Sequence, residues 1–413
     1  MRVLLVGSGG REHALAWKLV SSPLLAELHI VPGNPGIAAL GQCHPVRADD
    51  GEAVLGLARA LQIDLVVIGP EVPLVAGLAD LLRSVGIPVF GPSRAAAAIE
   101  GSKTFAKAVM ATAGVPTAAR LPEPVAPCVL KADGLAAGKG VIVCPTEADV
   151  AAGLAELEGM AGPLVIEELL EGPEVSLFVL CDGASATALA VAQDFKRAHD
   201  GDRGPNTGGM GSFSPVPGFG VDEIEALVDV TCRPVLAELA GRGCPFVGTL
   251  FAGLMLTASG PRVIEYNCRF GDPETQSLMP LVEGDLLAAL AAAAAGDLAG
   301  IRPKLTAGAA VTVVLAAGAY PASGDRGSPI SGIAAAEEAG ALVFHSGTAL
   351  HDGAVVTNGG RILGVTGLGA DLATARTAAY AAADLISWEG MRRRDDIALA
   401  ASLASGALRT MNP

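Results

Sequence analysis

The stretch Lys131-Ala132-Asp133-Gly134-Leu135-Ala136-Ala137-Gly138-Lys139-Gly140 lies between two short apolar runs, Cys128–Ala132 and residues 140–144. Apolar runs on both sides of a glycine cluster predict two strands joined as a hairpin with a mobile tip. The stretch is not a P-loop. Three residues rather than four separate Gly134 from Gly138, Gly140 stands where a Ser or Thr would hold magnesium, and a strand follows where a helix should. A glycine flap bearing Lys139 can still fold over nucleotide phosphates and exclude water. A plain solvated hairpin is the simpler alternative. A helix over residues 147–158 and a strand over Leu164–Glu168 complete this unit.

Upstream, the first ninety residues alternate strand and helix patterns. Residues 2–6 form an apolar strand, residues 7–10 a turn, and residues 12–20 a helix with Ala14, Leu15 and Leu19 at helical spacing. Further strands at residues 28–31, Leu65–Ile68 and 88–90 each run into a Gly/Pro turn. This alternation predicts a parallel sheet with ligands at the strand C-terminal ends. At the first turn, Gly7, Gly9 and Gly10 let a backbone approach an anion at a helix N-terminus. A dinucleotide fingerprint would need glycine where Glu12 stands and an acidic residue after the second strand, where Pro32-Gly33-Asn34 follow instead. A phosphate site is expected there, with close packing as the alternative.

Two later segments carry polar chemistry. In Val263-Ile264-Glu265-Tyr266-Asn267-Cys268-Arg269, Glu265 and Asn267 project to one face of a strand, a carboxylate and an amide oxygen suited to a hard divalent cation. Arg269 shares that face if the strand persists and can clamp a carboxylate or phosphate. The run Gln193-Asp194-Phe195-Lys196-Arg197, with the loop Gly204 to Gly211, offers backbone donors for small zwitterions or phosphates. Strands over residues 249–256 and 262–267, an alanine-rich helix over 285–299, a strand over 310–316, hairpin-like segments near 342–344 and 355–363, and a helix over 372–386 complete the pattern.

Composition narrows the class. At 413 residues the chain has room for about two to four domains. It carries 28 Lys and Arg against 43 Asp and Glu, a net charge of −15, which disfavours a nucleic-acid surface. Its apolar runs are broken by Gly, Thr and Pro before reaching the ~20 residues a bilayer span needs, and the N-terminal apolar run is too short for a signal peptide. Seven scattered cysteines without a CxxC pair predict reduced thiols rather than zinc. A cytoplasmic enzyme without nucleic-acid or membrane partners is the expectation.

In their order along the chain, VGSGGREHALAWK, VPGNPG, IGPEVPLV, FGPS, EGSK, VLKADGLAAGKGV, IEE, GPNTGGMG, EYNCRFGDPETQ and TNGGR resemble the glycinamide ribonucleotide synthetase family of the ATP-grasp superfamily, from residue 1 to about 396. The resemblance implies an α/β ATP-grasp fold: a Rossmann-like domain (1–100), an ATP-grasp domain (101–299) with a mobile flap (about 121–168), and a small α+β C-terminal domain (300–413). It implies ATP-dependent joining of glycine to 5-phosphoribosylamine in purine biosynthesis, through a glycyl phosphate, by a monomer using Mg2+ or Mn2+.

Carried over residue by residue, it places Lys103, Lys131, Gly138, Lys139 and Gly140 on ATP phosphates, Glu167, Glu168 and Leu169 at adenine, and Glu174 at ribose. Glu265 and Asn267 would hold metal. Arg269, Lys139 and Asp194 would act in catalysis. Gly9, Gly10, Arg11, Gly69, Pro70, Glu71, Asp194, Asn206, Thr207, Gly208, Arg269, Asp272, Pro273 and Glu274 would line the substrate pockets. A neutral attacking amine needs no strong base, so none is assigned. Scarce positive charge, Arg11, Lys103, Lys131, Lys139 and Arg269, should gather in one cleft.

The chain departs from the family pattern at Phe195, usually His, and Arg203, usually Thr. The 122–162 segment is short. The arginine run at 392–394 reads as a solvated helix start. Alternatives are another ATP-grasp carboxylate–amine ligase, a nicotinamide-dependent oxidoreductase, and a catalytically silent nucleotide-binding protein.

Overall fold

A computed structural model describes residues 1–135, 140–160 and 162–410, with backbone alone for 405–410. The N-terminal pattern folds as read. Five parallel strands stand in the order Gln42–Cys43, Glu27–Pro32, Arg2–Gly7, Leu65–Ile68, Val89–Phe90. Past Arg2, the strands 2–7 and 65–68 are apolar because helices cover both faces, and Val3, Leu4, Leu5, Val6, Leu65 and Val66 are fully buried.

The runs on either side of the glycine stretch belong to a separate three-stranded sheet, Val141–Cys144 against Cys128–Ala132 against Leu164–Glu168, backed by the helix Glu147–Leu157. Thr146 and Asp149 cap that helix reciprocally. This unit has its own small core of Cys128, Leu130, Ala132, Cys144, Val150 and Leu157. A self-contained core on a small sheet is what allows a flap to move as a body.

The central element is a sheet of nine strands among the described residues. It runs Gly260–Asn267, Val247–Thr257, Glu174–Asp182, Ala186–Asp194, Gly211–Ser214, Ala309–Ala317, Arg361–Gly369, Leu342–His345, with Met391–Arg392 also on 309–317. The four-residue strand Gly211–Ser214 joins the strands before residue 300 to those after it. The register slips by one residue between Gly253 and Leu254, a bulge in the partner strand immediately before Glu265. Such bulges re-aim side chains and recur beside active sites.

Two local readings change. The segment around residues 355–363 is not a hairpin: Ala354–Gly359 pairs with Thr348–His351 and Asp325–Pro329, whereas Arg361–Gly369 belongs to the large sheet. The turn glycines direct the chain from one sheet to another. The arginine run is no solvated helix start either, for the helix begins at Leu399 and Arg394 is 1% exposed. Its charge is buried because Asp202 and Asp396 meet it.

The first helix (Gly10–Leu19) carries His13 against the strand Leu342–His345. The backbone N–H of His345 donates to His13 Nδ1 at 2.8 Å, and the two rings stack edge-on. That nitrogen must be unprotonated to accept. Burial, then the neighbouring His345, lowers His13 to about 3. A base whose folded pKa is lowered stabilises the fold above its unfolded value of ~6.5 and loses that contribution as pH falls below it. The chain is expected to lose roughly 2 kcal/mol from this group on going to pH 5. Denaturant midpoints measured between pH 7 and 5 check it: His13→Gln should flatten the dependence, and an unchanged slope would refute the assignment.

Candidate functional site

The strand Gly260–Asn267 ends in the turn Cys268 to Pro273, and the polar residues of the sequence motifs converge on it. Arg269 donates to Glu100 Oε1 and Asn267 Oδ1, both at 3.1 Å, and to the Phe270 carbonyl at 3.2 Å. Its Nε lies 3.4 Å from Glu71. Glu100 also accepts from the Cys268 N–H at 2.7 Å. Burial opposes the Arg269 charge, but Glu100 and Glu71 outweigh it and hold the guanidinium above its usual range. Burial likewise raises Glu100, against the pull of Arg269. Glu71 ends below its ordinary value: burial, the largest influence, raises it, and Arg269, Arg11 and a backbone hydrogen bond together outweigh that.

Arg11 extends this network into the N-terminal unit, donating to Glu12 at 2.6 Å and to Phe270 O at 3.2 Å. Glu12, 2% exposed, accepts from the Gly9 N–H at 2.7 Å. A Cβ on Gly69 would sit 2.0 Å from its carboxylate. The residue that breaks the dinucleotide fingerprint therefore fills the glycine cradle itself. Gly10 is equally close-packed, its place against Gln276 and Ser346 leaving no room for a side chain.

On the flap side, Glu167 is 2% exposed and accepts from both Lys107 and Lys131, each at 2.7 Å. Lys131 also donates to Ile264 O at 3.0 Å, beside Glu265. Lys103 opens the helix Lys103–Ala113 and donates to Gly134 O at 2.9 Å. Burial lowers the Lys103 ammonium, while Glu265 supports it. Asp133 accepts from Ser102 Oγ at 3.2 Å and ties the flap root to that helix. Glu168 pairs with Arg262 at 2.9 Å. Gly138 and Lys139 lie outside the described residues.

The third group surrounds Lys196. Its ammonium meets Glu174, and Asp194 at 3.2 Å. Burial pushes Asp194 up to about 6. Burial works against the Lys196 charge, but Asp194, Glu174 and Glu265 outweigh it and raise it well above the lysine range. Thr207 donates through N–H and Oγ1 to Lys196 O, at 2.7 and 2.8 Å. Asn206 reaches Val141 O at 3.4 Å. Gly209, at φ +108, lies so close to Pro273 that a Cβ would approach Cδ to 2.4 Å. Glu274 accepts from Ser176 at 3.1 Å, and Asp272 meets Gln276 at 2.8 Å and Arg361 at 3.2 Å. Arg361 also donates to the carbonyls of Gly208 and Asp272.

The expected cluster of positive charge is present but balanced: Arg11, Lys103, Lys131 and Arg269 each have carboxylates at hand. Lys107 lies outside the motifs read from sequence, and Glu100, Lys196 and Arg361 lie within them without a role of their own. Lys107 had a legible signal, four residues after Lys103 on one helix face. His199 does not stand in for the atypical Phe195, for it is exposed and meets Arg392.

The Glu265 carboxylate and Asn267 amide oxygen suit a divalent cation, and among the described residues the buried Asn267 Nδ2 has no hydrogen-bond partner, fitting an anionic ligand beside it. Among the described residues no three His, Cys, Asp or Glu side chains form a metal cluster. A cation held here would complete its shell with phosphate and water oxygens.

Residues 1–100 match the phosphoribosylglycinamide synthetase N domain, 101–275 its ATP-grasp domain and 310–400 its C domain. The chain belongs to the phosphoribosylglycinamide synthetase family. It has the mixed α/β ATP-grasp fold of that family and is an ATP-dependent ligase. It is 50% identical to the phosphoribosylamine–glycine ligase of Agrobacterium fabrum, covering 96% of this chain and 97% of the relative, and 49% identical to that of Streptomyces coelicolor, covering 97% and 100%. The crystal structure of the Thermotoga maritima phosphoribosylamine–glycine ligase superposes with a TM-score of 0.82 at 36% identity, covering 96% of this chain and all of that one. A biotin carboxylase domain from Hydrogenobacter thermophilus shares the fold at 16% identity and a TM-score of 0.69. Among the described residues no helix is long and apolar enough to cross a membrane.

Proposed function

We propose that the chain joins glycine to 5-phosphoribosylamine, giving glycinamide ribonucleotide, ADP and phosphate in purine biosynthesis. The observation that supports this reading best is the convergence of three groups of side chains on the strand carrying Glu265 and Asn267 and the turn carrying Arg269: Arg11 and Glu71, Lys103 with Lys131, and Lys196 with Asp194. In the first step a glycine carboxylate oxygen attacks the ATP γ-phosphorus and the bond to ADP breaks. In the second the ribosylamine nitrogen attacks the acyl carbon, phosphate leaves and the amine proton passes to water.

Phosphoryl transfer of this kind needs positioning and charge neutralisation more than a protein nucleophile. Lys103, Lys131 and the flap residues Gly138, Lys139 and Gly140 hold the phosphates, and residues 167–169 with Glu174 hold the nucleoside. Glu265 and Asn267 would hold Mg2+ or Mn2+, which supplies neutralisation of phosphate oxygens when bound. Arg269 steadies the carboxylate and its phosphate. Gly9, Gly10, Arg11, Gly69, Pro70 and Glu71 face the ribosylamine, and Asp194, Asn206, Thr207, Gly208, Asp272, Pro273 and Glu274 line the acceptor pocket, which takes glycine and the ribosylamine. The units are 1–100, 101–299 with the flap at about 121–168, and 300–413, in a cytoplasmic monomer.

ADP release with ATP and a divalent salt, omitting glycine and phosphoribosylamine in turn, tests the function. Release should need both. Equal release without glycine, or none at all, would overturn the reading.

A further inference from the structure

Arg394 is the largest fully buried side chain among the described residues, and it lies in the arginine run that the family motifs do not include. All three guanidinium nitrogens donate. Nε and one terminal nitrogen hold Asp396 in a fork at 2.7 Å each, and the other donates to Asp202 at 2.8 Å and to the Arg197 carbonyl at 3.0 Å. The guanidinium also lies 5.0 Å from the centre of the Phe195 ring, over its face. An arginine so engaged is fixed in both plane and rotation, which a lysine cannot reproduce.

What it holds is the point of interest. Phe195 and Arg197 are the two neighbours of Lys196, whose ammonium lies between Glu174 and Asp194. The loop has other backbone ties: the Phe195 N–H donates to Gly211 O and the Met210 N–H to Phe195 O, at 3.0 and 2.8 Å. Thr207 holds the Lys196 carbonyl itself through N–H and Oγ1, at 2.7 and 2.8 Å. The C-terminal segment adds further ties, where Asp395 N–H donates to Asp200 and the Gly201 N–H to Asp396.

We propose that Arg394 is a positioning residue of the ligation site, gripping the residues on either side of Lys196 and so fixing its ammonium between Asp194 and Glu174. Its consequence for activity rests on the ligase reading above. The C-terminal unit thereby acts on the acceptor pocket through Arg394 as well as through Arg361, which holds Gly208 and Asp272, and Arg394 does so without touching substrate. Lys103 and Lys131 sit on other elements, so the nucleotide phosphates are held independently of the clamp.

The test compares Arg394→Lys, which keeps the charge, and Phe195→Leu, which removes the ring face while remaining apolar, with Arg393→Gln. Arg393, in the same segment, meets Asp384, Asp395 and the Tyr380 ring among the described residues and serves as the control. Both clamp variants should raise KM for glycine about tenfold and lower kcat, with KM for ATP moving less than about threefold. A loss of folded enzyme alone would lower kcat and leave both KM values in place. Amide hydrogen exchange over residues 195–211 should quicken in the clamp variants and not in Arg393→Gln. If the wild-type enzyme turns over and glycine KM stays within twofold in both clamp variants, the proposal is wrong and the ligase reading stands. If the wild type never turns over, that reading falls, and unchanged exchange at 195–211 still refutes the clamp.

Discussion

Glu265→Ala is expected to lower ligase turnover by about a thousandfold while leaving the fold in place. Its carboxylate stands beside a bulge in the strand Gly260–Asn267, two residues from Asn267 on the same face. Its charge favours the ammonium of Lys103 and, after Asp194 and Glu174, that of Lys196. Removing it deprives a bound cation of its only carboxylate in that pair and leaves the amide of Asn267, which also accepts from Arg269. The backbone of residue 265 keeps its partner Gly253, and Lys103 keeps the Gly134 carbonyl. The change in unfolding free energy should therefore stay within about 1 kcal/mol. Steady-state ADP release beside a denaturant curve checks both parts. Normal turnover would remove the metal assignment; a collapsed fold would make the residue structural.

The largest effect on stability is expected at Glu167, whose replacement by alanine should cost roughly 3–5 kcal/mol. One carboxylate there answers two buried ammonium groups, Lys107 from the helix Lys103–Ala113 and Lys131 from the flap sheet. Burial already lowers Lys107, with Glu167 opposing it. Without that anion Lys107 favours its neutral form in the fold, so the folded chain binds fewer protons than the unfolded one. Stability of the variant should then rise with pH up to the unfolded lysine value of about 10. Denaturant titrations at pH 7 and 9 would show the deficit shrinking. A deficit below about 1 kcal/mol at pH 7 would mean that water or a rearranged partner replaces the carboxylate. The pair also spans the flap and the body of the chain, so Glu167→Ala should loosen flap docking.

Local periodicity carried much of the fold. The apolar runs at 2–6 and 65–68, the 147–158 helix and the shared face of Glu265 and Asn267 follow from spacing alone. What spacing could not convey was partnership across the chain. Arg394 reads as one of three exposed arginines until Asp202, nearly two hundred residues away, is brought to it. Glu167 marked a backbone edge for adenine in the sequence, yet its side chain points inward to two lysines. The strand pair at 354–369 failed for the same reason, since a two-sheet crossing and a hairpin share one turn chemistry. Glu12 was legible as an exception to a glycine pattern, but the cradle it occupies only exists once Gly69 is folded beside it.

The four-residue strand Gly211–Ser214 sits between Ala186–Asp194 and Ala309–Ala317, with Ser212 and Ser214 fully buried. It is also the exit of the glycine loop that holds Pro273 and Lys196. A gene shortened to end near residue 300 would leave this strand as a naked sheet edge, a template for pairing with other chains. The C-terminal unit is thus not an appendage that recombination could add or shed. Its loss would unmake the floor of the acceptor pocket and invite aggregation in the same event, which ties the inheritance of the two halves together.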